Sequence, residues 1–167
     1  IVTVALHFGA EYQRLPNTQQ KKLVENLVNG GADIILGSHS HVVQPYKIFK
    51  ITEENGETRQ AVVIYSMGNF ISNQTRKYTD LGVIFQVNIQ KSFPKETIKI
   101  SAVKALPTWV HRYRKNGKLN FRVLSLEQVV SAKNYPLLKS RDYLLLEKYL
   151  TQMNSHINSL NITEGMN

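Results

Sequence analysis

Hydrophobic and polar positions fall into blocks whose period changes along the chain. Ile1-Val2-Thr3-Val4-Ala5-Leu6 is a continuous, β-branched run, the pattern of a strand buried on both faces. His7-Phe8-Gly9-Ala10-Glu11-Tyr12 turns out of it. Asn17 or Thr18 can cap a helix running to about Asn29, with Leu23, Leu27 and Val28 as its apolar stripe and Gly30-Gly31 as its stop. Ala32-Asp33-Ile34-Ile35-Leu36 is a second apolar run. Strand, helix and strand within about 40 residues form a βαβ crossover, which makes the two strands parallel and brings their ends to one sheet edge.

Beyond residue 41 the pattern changes to hairpins. Tyr46 to Ile51 and Ala61 to Tyr65 alternate as strands around the turn Glu54-Asn55-Gly56-Glu57. Leu81 to Ile89, Thr97 to Leu106 and Leu119 to Leu124 are further strands, and Asn116-Gly117 is a second hairpin turn. Arg141 to Leu160 predicts a terminal helix with Leu145, Tyr149 and Met153 on its apolar side and a frayed polar tail. The fold class is α/β (α+β).

The chain has 167 residues, of which 42% are hydrophobic and 20% charged, an ordinary globular composition. Its apolar runs fall short of the roughly 20 residues a membrane helix needs. It opens on Ile1, inside a core strand, so further chain is expected upstream, and a membrane anchor would lie there. There is no cysteine, which excludes disulfides, thiolate metal sites and cysteine nucleophiles. The formal charge is +9, and many of the cations follow residue 90, alternating with apolar residues as in Lys99-Ile100-Ser101-Ala102-Val103-Lys104. Such a pattern is the solvated face of a sheet or a surface for an acidic polymer. The hairpin Arg112-Tyr113-Arg114 interleaves an aromatic with cations, but no recognition motif accompanies it, and no nucleic-acid partner is expected.

The chemistry concentrates where the parallel strands end. Gly37-Ser38-His39-Ser40-His41 follows the second strand, and His7 ends the first. Ligands bind at that edge in open α/β sheets, and neutral imidazole is a common metal ligand. His7, His39 and His41 are therefore the candidate metal ligands, whereas His111 and His156 read as surface residues. Three neutral histidines bring no negative charge, and a dinuclear hydrolytic site needs carboxylates. Glu11 is the nearest, Asp33 stands at the wrong end of its strand, and Asp80 is about 40 residues further on. Either Glu11 serves a mononuclear site or the carboxylates come from upstream. Ser66-Met67-Gly68-Asn69-Phe70 is either a loop for close ligand approach or a strand-ending turn with a buried aromatic plug. Gln44-Pro45 suits a turn or kink, and Arg76 and Lys77 near Asp80 are surface cations or contacts for an anionic substrate.

Three of these segments together resemble one family: residues 7–12, residues 31–45 and Ile64-Tyr65-Ser66-Met67-Gly68-Asn69-Phe70. Their order and spacing are similar to those of the CapA family of bacterial capsule and poly-γ-glutamate synthesis proteins, placed in the calcineurin-like metallophosphatase superfamily. The resemblance covers residues 1 to about 90. It implies part of a metallophosphatase-like αββα sandwich, with a dinuclear site for divalent metal ions (Mn, Zn or Fe) at the strand ends. His7 and His39 would share one ion and His41 would serve the other. The superfamily's early Asp-x-His, Gly-Asp and Asn-His are absent, so the chain matches the C-terminal half of such a domain, with the N-terminal half as its partner. Glu11 and Asn69 match family motif positions and stand as candidate catalytic positions.

The division implied is 1–90 as the C-terminal half of the CapA-like domain, 91–135 as its continuing β-rich part and 136–167 as a C-terminal helical segment. The function implied is capsule or poly-γ-glutamate biosynthesis at the bacterial cell envelope, through a metal-dependent hydrolase or transferase site. The alternative is a non-catalytic accessory protein that binds or helps export an anionic polymer.

Overall fold

Strand β1 (Thr3–His7), helix α1 (Thr18–Asn29) and strand β2 (Ile34–Ser38) form the expected βαβ crossover unit, with β1 and β2 parallel and Thr3 opposite Ile34. A computed structural model of the chain describes residues 1–54, 56–94 and 97–161. Asn17 caps α1 by accepting the Gln20 N–H, and the Gln20 side chain returns the bond to the Asn17 N–H. Gly31, at φ +100°, turns the chain back toward β2.

Strands β3 (Val43–Thr52) and β4 (Thr58–Met67) are the antiparallel hairpin read from the sequence; Asn55 of its expected turn lies outside the described residues. β4 pairs parallel with β2, giving a four-stranded sheet of order β1-β2-β4-β3. A second, antiparallel sheet holds β5 (Leu81–Ser92), β6 (Thr97–Lys115) and β7 (Lys118–Ser125), with Asn116-Gly117 between the last two. Helix α2 (Leu126–Ala132), which the sequence reading did not find, and helix α3 (Ser140–Ile157) follow.

Successive residues of the first sheet point to opposite layers. Ile35, Ala61, Val63 and Tyr65 pack with Val24 and Val28 of α1. Ile34 and Val62 meet Ile100, Phe85 and Val103 of the second sheet. A third cluster joins Val43, Ile64, Leu81 and Val83 to Leu126 and Val129 of α2 and to Leu146, Met153 and Ile157 of α3. Helix α1 thus covers one face of the first sheet, while α2 and α3 pack together with the second sheet against its other face, a mixed α/β fold.

Several expectations need correction. Burial on both faces belongs to β4, whose residues Ala61 to Ser66 are all buried, and not to the first run. β1 is an edge strand with one neighbour; Val4 and Leu6 pack toward α1, while Thr3, Ala5 and His7 stay exposed. The buried stripe of α1 is Gln20, Val24 and Val28, and Leu23 is exposed. On α3 the buried side is Tyr143, Leu146, Met153 and Ile157, with Leu145 exposed. Gln44-Pro45 is no turn: both residues are buried within β3.

Two close backbone approaches shape the sheet edge. A Cβ at Gly37 would stand 2.0 Å from the Tyr65 carbonyl oxygen, so only glycine lets β2 leave the sheet beside β4. Gly82 bridges to Gly68, where a Cβ would stand 2.2 Å from the Asn69 carbonyl oxygen, and this bridge ties the second sheet to the end of β4.

Candidate metal centre

The parallel strands β1, β2 and β4 end at the same edge, and each hands over to part of the candidate site. His7 is the last residue of β1, His39 follows β2, and Gly68-Asn69 follow β4. The turn after β2 is strained: His39 has φ +99° and His41 has φ +59°, a conformation L side chains seldom adopt. Such strain persists where surrounding structure over-determines it, and functional sites are its usual location. Here the backbone holds it, with Phe8 N–H donating to Ser38 O and Tyr12 N–H to Ser40 O.

His7 Nε2 lies 2.9 Å from His39 Nδ1, with ring centroids 4.6 Å apart. Hydrogen-bond accounting assigns the proton positions. Ser38 Oγ–H donates to the Leu6 carbonyl at 3.1 Å, so it accepts from His7 Nδ1–H at 3.3 Å. His7 Nε2 then carries a lone pair and accepts the His39 Nδ1–H at 2.9 Å, a proton that an ion bound between them would displace. Two imidazole nitrogens on one tetrahedral ion lie roughly 3.3 Å apart, given bonds of about 2.0–2.1 Å. The observed separation is within a few tenths of that value.

His41 is fixed from the other side. Its Nδ1 is 3.0 Å from Asn69 Oδ1. The Asn69 amide nitrogen donates to the Thr79 carbonyl at 2.9 Å and to Gln74 Oε1 at 3.2 Å. Since a carbonyl can only accept, the Asn69 amide cannot be reversed, and His41 Nδ1 must carry the proton. The His41 Nε2 lone pair is left facing outward, 3.9 Å from Glu11 Oε1. Tyr12 stacks on His41 at 6.0 Å, and the Arg76 guanidinium covers Tyr12 at 4.1 Å.

The structure therefore brings all five candidate residues, His7, His39, His41, Glu11 and Asn69, to one edge. It does not close them into one cage: among the described residues no group of three or more His, Asp or Glu side chains could hold an ion. The histidine donors fit the ligand side of a metal centre, and the carboxylate shortage read from the sequence persists. Asp33 lies at the opposite end of β2, against Arg59, and Asp80 accepts from Trp109 Nε1 at 2.9 Å.

Sequence reading missed the support beneath the site. Buried Gln44 accepts from Gln20 Nε2 at 3.0 Å and donates to the carbonyls of Gln13 and Leu15. This network pins the segment carrying Glu11 and Tyr12. An amide directly after Val42-Val43 in an apolar stretch was the available signal. Phe70 is no buried plug, because it is largely exposed. Nor are the outlying histidines surface residues. His111 is buried between Trp109 and Tyr113, and His156 Nε2 donates to the Val43 carbonyl at 3.0 Å. Burial lowers the pKa of both, helped by Arg122 for His111 and by Arg14 for His156.

Among the described residues no helix is long and apolar enough to cross a membrane. The family model described as "Bacterial capsule synthesis protein PGA_cap" matches residues 1–74, the segment that carries all five residues. "PGA biosynthesis protein CapA" of Bacillus subtilis (strain 168) is 35% identical over 92 residues, covering 55% of this chain and 22% of that protein. "Capsule biosynthesis protein CapA" of Bacillus anthracis is 33% identical over 90 residues, 54% of this chain and 20% of that protein. The chain thus spans about a fifth of the length of these relatives. No solved structure matches. The matched segment coincides with the histidine edge, so the part of the chain that carries the candidate residues is similar to bacterial capsule synthesis proteins of the CapA kind.

Proposed function

We propose that this chain carries the histidine side of a divalent-metal centre in a capsule or poly-γ-glutamate biosynthesis protein of the bacterial cell envelope. The observation that carries the reading is the His7–His39 nitrogen pair at ligand spacing on a strained turn. His7 Nε2 and His39 Nδ1 would hold one ion, and His41 Nε2 would address a second. Divalent ions at such a site activate water for attack on a phosphoryl or acyl centre. Asn69 keeps the His41 lone pair outward, Glu11 stands beside it to bind or take a proton, and Arg76 on Tyr12 borders the approach. The remaining carboxylates would come from an N-terminal half of the same domain.

The test is metal content by elemental mass spectrometry, on this chain and on the longer protein containing it. About two ions per longer chain, falling on His7→Ala or His39→Ala, is expected together with a metal-dependent phosphoesterase activity. Metal-free protein in both forms overturns the reading. The second reading, a non-catalytic carrier of an anionic polymer, is favoured by the cations of the second sheet, and would then take over.

A further inference from the structure

The core-facing side of the β5–β6 hairpin loses its cover toward the tip. Ile100 is buried against Ile34 and Val62, near the start of β2 and so at the end of the sheet opposite the histidine edge. The register sets Ile89 opposite Ile100 and Lys91 opposite Ile98, which puts these four side chains on one face. Phe93 joins that face, because the Lys91 ammonium lies 5.0 Å from its ring centroid. Beyond Ile100 this apolar face is open: Ile89, Ile98 and Phe93 are 50%, 45% and 73% exposed.

Positive charge surrounds the open tip. Lys91 and Lys99 are exposed, on opposite faces of the hairpin, in the residue pairs just below Ser92–Thr97. Residues 81–125, which span the second sheet, hold nine Lys or Arg and one acidic residue, Glu96. Exposed apolar side chains add nothing to the capture of a dissolved polyanion. A stable protein interface buries about 800 Å² on each partner, more than three protruding side chains supply. A bilayer surface suits both features, since aromatic rings settle at headgroup level and Lys is drawn to anionic headgroups.

We propose that the tip of the β5–β6 hairpin is a lipid-surface anchor. Phe93, Ile98 and Ile89 enter the boundary between headgroups and acyl chains, while Lys91 and Lys99 meet anionic headgroups. β5 begins at the Gly68–Gly82 bridge beside the histidine edge and runs 12 residues toward the tip. At about 3.3 Å per residue, end-on docking holds the histidine edge roughly 40 Å from the lipid. The anchor stands on the hairpin alone and does not depend on the metal centre.

Co-sedimentation of the full chain tests it, with vesicles of phosphatidylcholine alone and of an equal mixture with phosphatidylglycerol. The mixed vesicles are expected to bind the chain about tenfold more tightly than the neutral ones. Phe93→Ser/Ile98→Ser should weaken that binding by about tenfold. Leu144→Ser, which removes an equally exposed apolar side chain on α3, should leave it unchanged, and circular dichroism checks that both variants fold. Phe93→Trp should retain binding, and its emission should shift to the blue on the mixed vesicles, over the background of Trp109. Absence of binding to either vesicle overturns the proposal, as does an unshifted Phe93→Trp emission. Equal binding by the parent and Phe93→Ser/Ile98→Ser overturns it in favour of charge alone. A dimer in sedimentation velocity without vesicles, lost in Phe93→Ser/Ile98→Ser, overturns it by assigning the tip to a second copy of the chain.

Discussion

Asn69 accepts a hydrogen bond from His41 Nδ1 at 3.0 Å, and its own amide is held by Thr79 and Gln74 so that it cannot turn. A residue 28 positions away thereby sets which nitrogen of His41 is available for chemistry. Partners of this kind fix ligand tautomer and orientation and are worth about 10–100-fold in metal affinity. Asn69→Ala should therefore weaken metal binding by about that factor. Nitrogen-15 NMR of the His41 ring should show Nδ1–H in the parent and a tautomer mixture in the variant. Unchanged ring signals in Asn69→Ala would remove Asn69 from this role.

The Gln20–Gln44 pair should carry stability as well as position. Replacing Gln44 by Leu strips the partners of Gln20 Nε2 and of the Gln13 and Leu15 carbonyls. A buried polar group left unpaired costs about 1–3 kcal/mol. Urea unfolding of Gln44→Leu should show a loss of about 2–3 kcal/mol, with more rapid hydrogen exchange in residues 11–15. A loss below about 0.5 kcal/mol would mean that water replaces the network without cost.

Buried His111 should make stability depend on pH. Its pKa in the folded chain lies below the ordinary 6.5, because burial and the Arg122 guanidinium of β7 disfavour its charge, with Asp142 of α3 opposing them. The unfolded chain then binds a proton at a higher pH than the folded one. Stability is full above about pH 6.5, declines as pH falls below it, and levels once the folded imidazole titrates. His156, lowered by burial and Arg14, contributes in the same direction. Thermal unfolding between pH 8 and 5 should show this decline, and His111→Phe should flatten it. An identical slope in His111→Phe would assign the effect elsewhere.

How far the sequence could be read depended on whether a contact was local. The βαβ unit was legible because periodicity, cap and glycine stop all lie within residues 1–38, and parallel pairing then placed His7 beside His39. The buried faces of the helices were not. Leu23 and Leu145 carry the right spacing, yet the buried side of α1 is anchored on Gln20, whose partner Gln44 is 24 residues away. His111 was misread for the same reason: its burial comes from Arg122 and the chain entering α3. Asn69 was legible as a site residue, while its action through His41 needed the fold.

The bridge between Gly68 and Gly82 means that the histidine edge is also the point where the two sheets are fastened. Asn69 stands beside that fastening and touches His41, so anything that immobilises His41 restrains the entry into β5. Occupancy of the edge should then be audible across the molecule, as slower amide exchange in residues 80–83, in a layer that contributes no candidate ligand.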